Sequence, residues 1–144
     1  MPSAFETIWD AVYAQILDLE LTGATVKQQQ WPFNPQSGEL TAGIFVCPAT
    51  ETLDSVGSNQ RSEIGYGFEV CLVKASNQTL GKETLATLLE WREAIRRAFH
   101  DKLPFTAGGV VRTWCEPGKV ALPDAFAKQY DASALIIRCY AYEG

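Results

Sequence analysis

Apolar residues at Phe5, Ile8, Trp9, Val12, Ile16 and Leu19 recur with the 3.6-residue period of an amphipathic helix. Ser3 followed by Glu6 forms a capping-box pattern, and Gly23 supplies a stop. The spacing therefore predicts a helix over residues 4–21. From Thr25 the texture changes to short strands. A weak one covers residues 24–30, and WPFNPQSGEL is punctuated by Pro32, Pro35 and Gly38, which predicts a loop over about 31–40. A short apolar strand over 41–47 ends at Pro48. Residues 51–63 (ETLDSVGSNQRSE) have few large apolar side chains and no period. They predict a long exposed loop, of the kind that in compact domains tends to be functional.

The clearest strand follows. Ile64, Tyr66, Phe68, Val70 and Leu72 share one face by strict alternation, while Gly65, Gly67, Glu69 and Cys71 share the other. The small residues predict either a close approach or a bend. A second helix is expected over about 80–101, with Leu85, Leu88, Leu89, Ile95 and Phe99 as its stripe. Glu83 lies early in it and Arg96, Arg97 and Lys102 late, as the helix dipole prefers, and Glu93 with Arg97 makes an i,i+4 pair. Strands over 109–116 and 133–142 close the chain, joined by a Pro-punctuated connection over about 117–132. The expected fold is α+β: two helices packed on one face of a mostly antiparallel four- to five-stranded sheet, in the order α-β-β-β-α-β-β.

Composition narrows the functional classes. At 144 residues, with 47% hydrophobic and 20% charged residues, the chain reads as one globular domain spanning 1–144. Its net charge of −5 argues against a protein whose main task is to grip phosphates. Cys47, Cys71, Cys115 and Cys139 form no C-x-x-C pair and lie within apolar runs, which predicts buried free thiols. The start MPSAFETIWD has no signal-peptide pattern, and no apolar run approaches the ~18 residues of a membrane span. A soluble protein of cytosolic origin is expected.

Catalytic patterns are missing from the sequence. His100 is the single histidine, which removes both a Ser–His–Asp triad and an H-E-x-x-H zinc site. Beside Arg96, Arg97 and Lys102 it reads as a residue of the helix C-terminus favouring the dipole. Gly108-Gly109 precedes a strand, and Gly65-x-Gly67 lies within one, so neither cradles a phosphate. The expectation is a non-enzyme with no catalytic, metal or cofactor-binding residues and no cofactor. Trp31, Phe33, Trp91, Trp114, Tyr130, Tyr140 and Tyr142 read as core or interface aromatics, with Trp31 and Phe33 the candidate exposed contact.

The chain order carries a resemblance. The amphipathic first helix, the polar stretch before EIGYGFEVCLVKASNQT, the helix TLATLLEWREAIRRAF and the last strand ASALIIRCYAYE are similar to the tail terminator, or tail completion, proteins of tailed bacteriophages. The resemblance implies a structural virion protein, assembled in the host cytoplasm and located in the tail or neck. It implies a homo-oligomeric ring, usually a hexamer, that caps the tail tube, stops its polymerisation and offers a joining surface to the head. The partners implied are the tube protein, a neck connector or stopper and, in a contractile tail, the sheath or sheath terminator. DNA passes through without being specifically bound, and no membrane is involved. The alternatives are another neck or tail component (connector, stopper or minor tail protein) or a small-molecule-binding α+β domain lined by Trp114, Tyr140 and Tyr142.

Charge divides unevenly along the chain: residues 1–23 carry −4, 24–78 carry −2, 79–104 carry +1, and the remainder is neutral. A head-to-tail ring needs two different complementary patches on each subunit. The candidate subunit interface accordingly sets Glu6, Asp10, Asp18 and Glu20 of one copy against Arg92, Arg96, Arg97 and Lys102 of the next. Glu51, Asp54, Arg61 and Glu63 mark the expected 51–63 loop, whose candidate role is to face the lumen or the tube.

Overall fold

The computed structural model describes residues 2–30, 42–56, 61–75, 83–121 and 130–143. Helix α1 (Ala4–Asp18) starts where the capping pattern places it, with the Ser3 hydroxyl accepting the Glu6 amide at 3.1 Å. It ends three residues before Leu21 because Glu20 adopts a left-handed conformation (φ 51°), which turns the chain towards strand β1 (Val26–Gln28). Leu19 and Leu21 still pack on the core from that turn. Strands β2 (Ala42–Val56) and β3 (Arg61–Ala75) follow, then α2 (Glu83–Phe99), β4 (Val110–Pro117) and β5 (Tyr130–Glu143).

The five strands form one sheet in the order β1-β2-β3-β5-β4. Its pairings are antiparallel except for β1 against β2, which are parallel over three residues. Both helices lie on one face. Ile8, Val12 and Ile16 of α1 and Leu88, Trp91, Ile95 and Phe99 of α2 share a core with Ile64, Tyr66, Phe68, Val70 and Leu72, the alternating face of β3. Two indole N–H groups tie the layers together. Trp9 donates to the Val46 carbonyl at 2.9 Å and Trp91 to the Thr22 carbonyl at 3.3 Å. The opposite face is not uniformly polar, because Phe45, Cys47, Cys71, Val73 and Ala132 form a second buried cluster there.

The structure corrects the expected loop over 51–63 at 51–56 and 61–63, while 57–60 fall outside the described residues. Thr50 to Val56 pair with Gly67 to Arg61, so β2 runs eight residues past Pro48 and Glu51, Asp54, Arg61 and Glu63 all sit on strands. A β-bulge between Pro48 and Thr50 lets the strand continue beyond a proline. The segment lacks apolar alternation because its hydrogen bonds come from β3, not from burial of its own side chains. The expected connection over 117–132 is likewise shorter at both ends, since Pro117 belongs to β4 and Tyr130 to β5, and 122–129 fall outside the described residues. The expected loop over 31–40 also lies outside them.

Gly65 and Gly67 explain the small face of β3. A Cβ at Gly65 would come within 2.5 Å of the Thr52 hydroxyl and 3.2 Å of the Tyr140 ring, and one at Gly67 would collide with Thr50. Close approach, not a bend, is what the glycines permit. On the other face, Phe68 is fully buried and packs edge-on against Phe5 at 5.1 Å. Phe68→Ala should cost about 3–5 kcal/mol in urea unfolding, as large-to-small changes in a packed core do. A loss below about 1 kcal/mol would show that the two layers are not held together there.

Candidate functional site

The sequence-nominated residues fall into three groups. Glu6, Asp10, Asp18 and Glu20 are exposed on or just after α1. Asp10 accepts a 2.7 Å hydrogen bond from the Gln28 amide, and the first three acids share a helix flank with exposed Leu17. The acidic helix expected from the charge split is therefore available on the surface.

The basic group divides. Arg96 and Arg97 are exposed and both reach Glu93, at 3.8 and 2.6 Å. Lys102 is exposed as a side chain, while its carbonyl accepts the Thr113 amide. Arg92 behaves differently. Its guanidinium is half-buried and donates to the carbonyls of Gly118, Lys119 and Ala134 and to the Ser133 hydroxyl, at 2.5 to 3.4 Å. Burial lowers its pKa from the usual value, but the four acceptors still select the cation. Arg92 is thus an internal clasp between the segment after β4 and strand β5, and it is withdrawn from the surface role expected of it.

Glu51, Asp54, Arg61 and Glu63 occupy the paired arms of β2 and β3 instead of a loop. Burial, then Glu143 and Glu51 nearby, raise the Tyr66 phenol above its ordinary pKa. On the opposite face the guanidinium of Arg61 lies 4.9 Å from the Tyr142 ring centre, and that of Arg112 lies 4.5 Å from Tyr140. Next to them Arg138 pairs with Glu116 at 2.5 Å and donates to the Thr50 hydroxyl at 3.3 Å. Trp114, Tyr140 and Tyr142 are therefore spread over a charged sheet face. Trp31 and Phe33 lie outside the described residues.

His100 has a structural role that the sequence did not reveal. Its Nδ1 accepts the Cys115 amide at 3.2 Å and its ring lies 4.1 Å from Trp114. The imidazole thus serves as an acceptor for the strand edge. The Thr113 amide reaches the Lys102 carbonyl at 2.8 Å, and the Thr113 hydroxyl reaches the carbonyls of Phe99 and Lys102. Together these contacts close the outer edge of β4 with the end of α2. Thr-x-Cys on a strand and His two residues before Lys carry no recognisable pattern, because the partners meet only after folding.

A search of solved structures finds a chain of a structure described as the virion of a native gene transfer agent particle. The alignment covers 96% of each chain, with a TM-score of 0.60 and 15% identity. This chain shares that virion chain's fold. No protein-family model matches the sequence, and no curated protein matches it either.

The four thiols are all buried and free. Burial pushes Cys47 up to about 11 and Cys71 and Cys139 up to about 12 from 9.0, with Glu69 adding to the rise at the first two. At about pH 8 these three should stay protonated and resist a thiol reagent until the chain is unfolded in urea. Since the folded values exceed the unfolded ones, stability should be unaffected below about pH 9 and fall as the pH rises from there towards 11 to 12. Immediate labelling of these thiols in the native state would contradict their placement in the two clusters.

Proposed function

We propose that the protein is a structural virion component, and specifically the tail terminator: a subunit of a hexameric ring that caps the tail tube, stops its polymerisation and joins it to the neck. The observation that carries this reading is the end-to-end match to a chain of a gene transfer agent virion. The sequence resemblance to tail terminators supplies the finer assignment. Both point to a role in assembly and away from catalysis.

A closed ring requires a heterologous contact, one patch of a subunit against a different patch of the next. The exposed carboxylates of α1 and the exposed guanidiniums of Arg96 and Arg97 are such a pair of patches, while Arg92 is not available to either. Each pair of opposed surface charges contributes well under 1 kcal/mol in exposed geometry, so the charges orient the contact more than they hold it. The tube protein and a neck connector or stopper are the partners of the ring's two faces, with DNA passing through its centre.

The Arg96→Glu, Arg97→Glu double variant should lose ring assembly at low salt and keep wild-type unfolding behaviour, read by sedimentation velocity and circular dichroism. Wild-type rings should also weaken as salt rises past about 0.15 M, where the screening length is near 8 Å. In a producing host, loss of the protein should leave tails of uncontrolled length. Tails of normal length that fail only to join heads would instead favour a connector or stopper, and a wild-type chain that binds neither tube nor neck proteins would overturn the reading.

A further inference from the structure

The two edges of the sheet are finished differently. At β4 the outward amides of Thr113 and Cys115 are occupied by the Lys102 carbonyl and by His100 Nδ1. At the other side β1 covers β2 only from Ile44 to Val46, where the Ile44 amide donates to the Thr25 carbonyl and the Gln29 amide donates to the Val46 carbonyl. Among the described residues nothing pairs with β2 beyond that point. The alternation of inward and outward amides shifts by one at the bulge between Pro48 and Thr50. Glu51, Leu53 and Ser55 consequently present their amides and carbonyls away from β3.

A groove of about 430 Å³ lies where β1 stops, lined by Phe5, Gln30, Pro48, Ala49, Thr50 and Glu51. It is in line with β1, so an extended chain entering it would continue along the open part of β2. Leu53 on that edge is 68% exposed, an unusual position for a large apolar side chain on an unpaired strand. Its surroundings are mainly acidic, with Arg138 at the Thr50 hydroxyl and Arg61 opposite Val56 as the basic groups. Helix α1 and strand β2 carry Glu6, Asp10, Asp18, Glu51 and Asp54 and no Lys or Arg. Phe5, in the groove wall, lies directly beside Glu6.

We propose that the groove and the Glu51–Ser55 edge of β2 form a strand-addition site for an extended, basic segment of another virion chain. Main-chain hydrogen bonds to Glu51, Leu53 and Ser55 supply affinity, an apolar residue covers Leu53 on the helix face, and Lys or Arg at the alternate positions meets Asp54 and its cross-strand neighbour Glu63 on the other face. The closed β4 edge excludes the simplest competitor, in which β4 of a second copy adds to β2. The site is independent of ring formation and stands whether the subunit is a terminator or another tail component.

Hydrogen exchange on the full-length protein tests this. In the isolated chain the amides of Glu51, Leu53 and Ser55 should exchange quickly while those of Thr113 and Cys115 are protected. A short synthetic peptide alternating Val and Lys should slow the β2 amides about tenfold or more, and the same peptide N-methylated on its pairing edge should not. A peptide alternating Val and Glu should bind at least about tenfold more weakly, and Asp54→Lys with Glu63→Lys should reverse that preference. Protection of Glu51, Leu53 and Ser55 at every protein concentration would show the edge is already occupied and overturn the site. Protection that grows with protein concentration alone would replace the basic partner by a second copy, and equal binding of both peptides would remove the charge selection; either result overturns the proposal.

Discussion

Pairing of β3 on both sides is the constraint on which the rest of the molecule depends. From Ser62 to Lys74, thirteen of its fifteen residues meet β2 on one side and β5 on the other. A strand fixed twice has its register set twice, and a slip of one residue would turn Phe68 and Val70 out of the core. That rigidity is what allows the two faces to differ so sharply. One face takes five apolar side chains under two helices, and the other leaves out Cβ atoms at Gly65 and Gly67 so that Thr50, Thr52 and Tyr140 can close over the backbone.

Elements whose order is local were legible in the sequence. Helix α1, strand β3 and helix α2 each have a period and a start or stop signal of their own, and the structure places them within a few residues of expectation. The far half of β2 was not legible, because ETLDSV owes its strand conformation to hydrogen bonds with residues 61–67 and buries little itself. A segment whose partner lies across a turn looks polar and aperiodic when read alone. Arg92 failed for a related reason. Its neighbours in sequence are Arg96 and Arg97, which made it look like one of a basic cluster. Its actual partners at 118, 119, 133 and 134 are brought to it by the pairing of β4 with β5. The acidic character of α1 survived intact, since exposed like charges need no partner to be recognised.

His100 and Thr113 show how a small sheet can be made asymmetric at low cost. A strand edge with free amides is a template for any other strand, and proteins blunt such edges with side chains, bulges or a covering segment. Here the end of α2 does so at β4 with one imidazole, one hydroxyl and one carbonyl. At β2, among the described residues, only the bulge, Pro48 and the charges of Glu51 and Asp54 intervene. With its β4 edge closed in this way, the sheet cannot be extended by joining β4 of one copy to β2 of another.

The net charge of −5 sets a second limit on assembly. Like-charged copies repel at long range, but at physiological salt that repulsion fades beyond about 8 Å, so contact chemistry decides the outcome. Arg96 and Arg97 share a single carboxylate, Glu93, and so leave one positive charge uncompensated at the surface. One charge fixes orientation but not affinity, which must come from apolar area. Exposed Leu17 on the acidic flank of α1 and exposed Leu89, one turn before Glu93 on α2, lie beside the two charged patches and supply it. In the proposed ring the acids and arginines therefore act as a key for register, while these leucines form the dry centre around which the contact closes.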